Sequence, residues 1–577
     1  MKKKFVTFII AVLTLVFGSS VLGGCNLVTT DEKKDMDQIV ATVQISDDAK
    51  VDNIYKEDLV FAFLNNGYLF MQYYGYTQSQ AVGAIMNSLI GNKIMLQTAM
   101  QYFAEKEGKT CTYNVRDYLT EDEYADALSN AYKEIDSLLN SYMQAEETAA
   151  SDTLTETVRT VPTGAANAEA EEKKYTEVDV NSTVERRNAY DRFIRFLRNN
   201  SLLGDGYKGK VEETAYFEEL LEAQCQDALL DKFEHEKSAE IRSTFTYDFI
   251  DNAYKTQVDS EKEFNTTEFA EALANAKKES PVFYGAYGNY GYVYNLLLGA
   301  SDIQKAQIAA IDASLTEAER KAERDEILKA TTVKDLRSTW ILSGYDFDGE
   351  KFTGDYAFLE DSIPFQGAVT LVKEADEEKG TKAEYRIDSL KTFDFDEFIE
   401  FMEGYVYGGA TVGEEVENYE EKINELLFAF STDPGSLNTY KGYVISPDNH
   451  ENWVADFAEA GRELLELGGT NYKIVATDYG YHVLFFSEAF DLGGAETLAD
   501  YLGMTEEEAK TAYAELLNKW DDEDLDKESF LYLFVDANVS SKVSARYTNY
   551  QNLVVNSLKD NDSRVKIYSD RYSDLVG

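Results

Sequence analysis

An acid at Asp433, an aromatic pair at Trp453 and Phe457 and a histidine at His482 all fall within residues 431–486. The pair is spaced by four, which places both rings on one face of a helix. These are scarce resources in this chain. Its only histidines are His235, His450 and His482, and its only cysteines are Cys25, Cys111 and Cys225. Such counts exclude a Cys-rich metal site and a His-built zinc site, so neither metal nor cofactor is expected. Asp346-Phe347-Asp348-Gly349-Glu350 has the acids of a calcium loop, but its glycine is misplaced for an EF-hand and no glutamate completes it. No G-x-S-x-G, H-E-x-x-H or P-loop pattern supports hydrolase, metalloprotease or nucleotidase chemistry. The acidic run Asp521-Asp522-Glu523-Asp524 reads as a solvated helix flank.

The elements that must position these residues follow from periodicity. Ile39–Val43 reads as a strand, and a helix starts near Lys56. Ile85, Leu89, Ile90, Ile94, Leu96 and Ala99 form the stripe of a helix from Ser79 to about Glu107, with Gly108 placed to stop it. Further helices are expected after Thr120 and over 182–203, 212–236, 267–278 and 302–329. The Ala-, Thr- and Glu-rich residues 144–180 read as a mobile acidic loop. Tyr292–Leu298 is a strand candidate, and 338–395 looks β-rich, with Trp340-Ile341-Leu342 and Gly367–Val372 as strands. Helices at 394–402 and 417–430 lead to strands at 442–445, 472–476 and 482–486. The Thr505-Glu506-Glu507-Glu508 cap opens the last helical region, whose final helix runs from about Lys527 to Leu558.

The amino terminus reads as an export signal. Lys2, Lys3 and Lys4 precede an apolar run from Phe5 to Phe17, short for a membrane span. Leu22-Gly23-Gly24-Cys25 then resembles a bacterial lipobox, which implies cleavage before Cys25, a diacylglycerol on its thiol and a lipid-anchored protein on the extracytoplasmic face of the bacterial cell membrane. Residues 25–38 would be the tether. Cys111 and Cys225 are left either to pair or to stay as buried thiols. The 55 Lys and Arg against 106 Asp and Glu give a net charge of −51, which excludes nucleic acid as a partner.

Residues 431–486 carry a further pattern. Ser431-Thr432-Asp433-Pro434-Gly435-Ser436, then Gly442-Tyr443-Val444, then Trp453 and Phe457, close with Thr477-Asp478-Tyr479-Gly480-Tyr481-His482. In order and spacing this resembles the C-terminal half of a parvulin-type peptidyl-prolyl isomerase domain. The resemblance implies that Trp453 and Phe457 line a proline pocket, with Trp453 where the family usually has Met or Leu. His482 matches the final-strand histidine of the family's pair, and Asp433 its acidic or thiol position. The first-strand histidine is replaced: the strand at 292–298 has Asn295 at that position. His235 lies in a charged helix and His450 in a polar loop, so neither substitutes easily. Some 130 residues between Leu298 and Ser431 imply a large insertion.

Residues 39–107 and the C-terminal helix are similar to the chaperone domain of PrsA- and SurA-type secreted foldases. The expected fold is α+β. It comprises a helical chaperone-like domain over 39–280, a parvulin-like domain over 281–495 with a β-rich insertion at about 330–420, and C-terminal helices from 496 packing back on the first domain. The expected function is a membrane-anchored folding factor that holds unfolded exported polypeptides. Its isomerase site is either active or kept as a scaffold. The alternative is a non-catalytic surface lipoprotein that binds a ligand or protein partner through the insertion.

Overall fold

The computed structural model describes residues 32–147, 184–199, 202–342, 363, 369–374, 383–387, 392–437, 439–522, 524–561 and 563–576. Cys25, most of the acidic loop and the Asp346–Glu350 run lie outside them. The architecture mixes helices with small antiparallel sheets and is compatible with α+β. It divides into two compact units, one of residues 1–244 with 541–577, the other of residues 245–540.

In the first unit, strand β1 (Ile39–Val43) lies between β2 (Asp52–Tyr55) and the C-terminal strand Val565–Ile567, antiparallel to both. Helices α1 (Lys56–Tyr73), α2 (Gln78–Lys106), α3 (Glu121–Glu147), α4 (Val184–Asn199) and α5 (Ala215–Ser243) follow. The stripe expected on α2 is buried at Ile85, Ile90, Ile94, Leu96 and Ala99, together with Val40 and Ile54 of the sheet. Gly108 takes φ +65° just after α2, the left-handed conformation a side chain resists. Thr77 caps the start of α2, accepting from the Gln80 N–H while Gln80 reaches back. Cys111 and Cys225 are free thiols, Cys225 buried, with burial pushing its pKa up to about 11.

The second unit opens with α6 (Tyr247–Lys262) and α7 (Thr266–Asn275). Strand β3 (Gly291–Gly299) is followed by α8 (Asp302–Ala309), α9 (Glu317–Leu328), β4 (Thr332–Lys334) and α10 (Arg337–Leu342). The hairpin β5 (Val369–Lys373) and β6 (Glu384–Ile387) precedes β7 (Thr392–Asp394), α11 (Phe395–Tyr407) and α12 (Tyr419–Phe430). Then come β8 (Tyr443–Ile445), α13 (Ala455–Leu467), β9 (Tyr472–Thr477), β10 (Gly480–Ala489), α14 (Leu498–Tyr501) and α15 (Glu506–Asn518). The long helix α16 (Phe530–Lys559) carries the division between units at residues 540 and 541.

The main sheet has strand order β8-β3-β10-β9, every pair antiparallel. Alternation sorts its side chains. Leu296, Leu298, Val483 and Phe485 bury against α11 and α12, which lie between β3 and β8 in sequence. Val293 and Leu484 face the other way, against Phe457 and Leu464 of α13. The long insertion therefore covers one face of the sheet and leaves the other to α13.

Several expected boundaries are corrected. The first domain ends at 244 rather than 280, and residues 496–540 belong to the second unit. The cause is an aromatic cluster: Tyr254 of α6 packs on Phe283 at 4.6 Å, Tyr501 at 5.7 Å and Phe534 at 6.3 Å. Trp340-Ile341-Leu342 is helical, not a strand, because Trp340 stands edge-on to Phe428 at 4.5 Å and Ile341 buries beside it on α12. The single helix expected over 302–329 is two, the second started by a Thr316–Glu319 capping box.

One ion cluster ties the first unit's ends together. Buried Lys56 donates to Asp35 at 2.7 Å and to Asp574 at 2.8 Å. Burial alone would lower its pKa, but the two carboxylates outweigh it and hold the ammonium above its usual range. Removing both partners strands a buried charge, whereas an apolar side chain of similar length does not. Asp35→Asn with Asp574→Asn should therefore cost about 2 kcal/mol in urea unfolding, and Lys56→Met clearly less. Equal losses in the two proteins would mean that the stem of Lys56, not its charge, matters.

Candidate functional site

The pairing of β3 with β10 sets Leu484 opposite Asn295 and Leu297 opposite His482. Asn295 and His482 are thus diagonal neighbours on the α13 face, within reach of each other. The His482 Nδ1 lies 3.0 Å from Asn295 Oδ1, and its Nε2 lies 2.8 Å from Thr477 Oγ1. An amide oxygen only accepts, so Nδ1 carries the proton and Nε2 accepts from the Thr477 hydroxyl. That hydroxyl in turn accepts from the Tyr479 N–H at 3.1 Å. Asn295 Nδ2 donates to Asp433 Oδ2 at 3.0 Å. Flipping the amide would set its oxygen against a carboxylate, so the network has one sensible orientation.

Asp433 gathers further donors. Tyr443 OH donates to its Oδ2 at 2.8 Å and the Gly435 N–H to its Oδ1 at 2.9 Å. Burial and the neighbouring carboxylate push the Tyr443 phenol well above its usual range, so it keeps its proton. A Cβ on Gly435 would collide with the Tyr443 hydroxyl, so glycine is what allows this approach. The 431–437 turn is itself stitched along β3. Leu297 N–H donates to Ser431 Oγ at 3.2 Å, Thr432 N–H to the Leu297 carbonyl at 2.8 Å, and Ser436 Oγ to the Asn295 carbonyl at 2.6 Å. Since β8 pairs only with residues 291–293 of β3, the turn supplies the partners that β8 does not.

An aromatic wall adjoins the network. Phe457 stands edge-on to the His482 ring at 5.2 Å, Trp453 lies 5.7 Å from Phe457, and Tyr443 lies 5.1 Å from Trp453. Trp453 precedes α13 rather than sharing its face with Phe457. Its indole N–H donates to the Val444 carbonyl at 2.8 Å, which pins the ring. Arg324 of α9 grips Asp456, between the two aromatics in sequence, at 2.8 Å, so α9 also braces this wall.

The structure thus brings together His482, Asn295, Asp433, Phe457 and Trp453. It adds Thr477 and Tyr443, which the motifs contain but the sequence reading assigns no part. The signal for Thr477 was its place five residues before His482, across a strand turn. His450 lies in the loop after β8 and His235 on α5 of the other unit. Among the described residues, no group of three His, Cys, Asp or Glu could hold a metal ion, and no helix is long and apolar enough to cross a membrane.

Water is nearly excluded from the network's centre: Thr477 is 0%, Asn295 3% and His482 7% exposed. Burial pushes the His482 pKa down to about 4, against the opposing charge of Asp433. At neutral pH the imidazole is uncharged, one nitrogen donating and the other accepting. It is poorly suited to passing protons near pH 7 and well suited to holding a fixed pattern of dipoles. No known protein family, curated protein or solved structure matches this chain.

The His482 shift makes stability depend on pH. Unfolded, the group titrates near 6.5 and folded near 4, so between these values the unfolded chain binds the extra proton. Stability is full above pH 6.5, falls as pH drops to about 4, and this contribution then levels off. The loss should reach about 3 kcal/mol. Comparing urea unfolding of the parent with His482→Leu across this window isolates it, and an unchanged slope in the variant would assign the pH dependence to other groups.

Proposed function

We propose that the chain is a membrane-anchored extracytoplasmic folding factor whose second unit acts as a parvulin-type prolyl isomerase. The observation that carries this reading is the Asn295–His482 contact. The first-strand and last-strand positions that the resemblance pairs as two histidines lie side by side, with Asp433 and Thr477 completing a closed hydrogen-bonded chain. The adjoining wall of Phe457, Trp453 and Tyr443 supports it.

Rotation about an X-Pro bond needs no proton transfer and no covalent intermediate. It needs the twisted amide, whose barrier is about 18–20 kcal/mol in water, to be held better than either planar form. A pyrrolidine ring held against Trp453 and Tyr443, which are half-buried where Phe457 is only 5% exposed, would leave its acyl half free to swing. The uncharged His482–Asn295 pair keeps Asp433 and Phe457 at fixed separation throughout, so no reorganisation accompanies the twist. Asn295 fills the histidine's place as a bidentate linker: its amide donates to Asp433 and accepts from His482, as a singly protonated imidazole would with its two nitrogens.

The test is cis-to-trans exchange of an Ala-Ala-Pro-Phe peptide, followed by NMR with the chain from Asn26 onward. Acceleration is expected, falling at least about tenfold in His482→Ala or Phe457→Ala, a loss of ~1.4 kcal/mol of barrier lowering. No acceleration from a folded chain would sink the isomerase reading. The anchor is tested separately, because each buried acyl methylene contributes about 0.8 kcal/mol to membrane attachment. Cys25→Ser expressed in a bacterial host should lose incorporation of a labelled fatty acid and leave the membrane fraction. Labelling that persists in the variant would overturn the assignment of Cys25.

A further inference from the structure

Helix α1 turns a second apolar stripe outward. Its inner side is buried at Leu59, Asn66 and Gly67, yet Phe61, Leu64, Tyr68 and Met71 are exposed. Their 3-4-3 spacing is that of a seam made to face another chain. The stripe continues through Tyr73, the last residue of the helix, and past it through Tyr74 and Tyr76, the first two of the three 77% and 69% exposed. Phe70, Tyr74 and Tyr76 form a ring cluster with centroids 5.8–6.1 Å apart, so the turn before α2 is a shaped surface rather than a frayed end. Scattered surface apolar residues need no explanation, but a contiguous aromatic run of this size does.

Charge identifies the occupant. In a chain that is 28% charged, no Asp, Glu, Lys or Arg occurs from Leu59 to Asn92. At the head of the stripe, one turn before Phe61, stands Asp58, which the charge of Lys93 on α2 also reaches. Burial and the nearby charge of Asp58 hold the Glu219 carboxyl of α5 above its usual range, which places two acids together at that end. A second copy of this chain would bring another net −51, and an anionic bilayer would be repelled in the same way. An unfolded polypeptide segment with an apolar, aromatic centre and a Lys or Arg at its end matches both the stripe and its acidic head.

We infer that the outward stripe of α1, with the Tyr73–Tyr76 turn, is the docking site for apolar segments of unfolded chains flanked by basic residues. The inference rests on the folding-factor reading and supplies its client class. From Phe61 to Met71 the stripe is about 15 Å long, room for roughly five extended residues. Tyrosine rings give broad contact with few rotatable bonds, which suits recognition of composition rather than of one sequence.

The test uses the chain from Asn26 onward and two fluorescent peptides with the same Leu, Phe and Val centre, one ending in Lys at both ends and the other in Glu. Fluorescence anisotropy should show the Lys peptide binding at least about tenfold more tightly than its twin. Phe61→Ser with Leu64→Ser, Tyr68→Ser and Met71→Ser should weaken that binding at least about tenfold while leaving proline exchange unchanged. Asp58→Asn with Glu219→Gln should narrow the gap between the peptides without abolishing binding. Unchanged affinity in the quadruple variant overturns the inference. So does a dimer of the parent that this variant dissolves in sedimentation, or vesicle binding lost in the variant while peptide affinity persists. If exchange is accelerated but the stripe is inert, only the docking site falls. If neither is seen, the folding-factor reading falls with it.

Discussion

Everything at the candidate site depends on one strand pairing. β3 and β10 are separated by the whole insertion, yet their antiparallel register, held from Gly480↔Gly299 to Ala489↔Gly291, decides which side chains meet. A slip of one residue would turn His482 toward α11 and α12 and send Val483 into the polar network. The register is secured from both faces. Leu296, Leu298, Val483 and Phe485 would lose their core on one side, and Val293 and Leu484 theirs on the other. Hydrophobic burial thus fixes the geometry of a polar site that contributes little apolar area of its own.

The polar network holds a histidine as a fixed donor and acceptor rather than as an acid or base. Each atom of the chain from Tyr479 through Thr477, His482 and Asn295 to Asp433 has a partner, which is what a nearly dry interior demands. The primary amide of Asn295 on β3 extends that pattern, donating to Asp433 at one end and accepting from His482 at the other. Burial keeps the His482 imidazole uncharged at neutral pH.

Much of this was legible in the sequence where local chemistry decides the outcome. The Thr505 cap, the Gly108 stop and the α2 stripe all rest on interactions within a few residues, and they stand where the residue types place them. It was the parvulin resemblance that grouped Asn295 with Asp433 and His482, which lie in hydrogen-bond contact. Failures came where tertiary packing overrides local preference. Trp340-Ile341-Leu342 has strand-like composition but becomes helical against Phe428. The boundary near 280 missed because Tyr254, Phe283, Tyr501 and Phe534 join segments far apart in sequence. The short strands β2 and Val565–Ile567 have too few residues to show alternation, and their existence depends on β1. Tyr443 and Thr477 escaped notice as site residues because a hydroxyl acquires its part only from what lies beside it.

The placement of the C-terminal strand beside β1 has a consequence for the order of assembly. Lys56 and Asp574, which contact each other directly, are 518 residues apart in sequence. A chain that emerges amino end first therefore exposes one edge of β1, and leaves Lys56 without its Asp574 partner, for the entire time the rest is being made. Residues 245–540 can close on themselves in that interval, since their sheet needs nothing beyond them. The segment made first is thus among the last to be completed, and its open edge persists as long as the final residues are withheld.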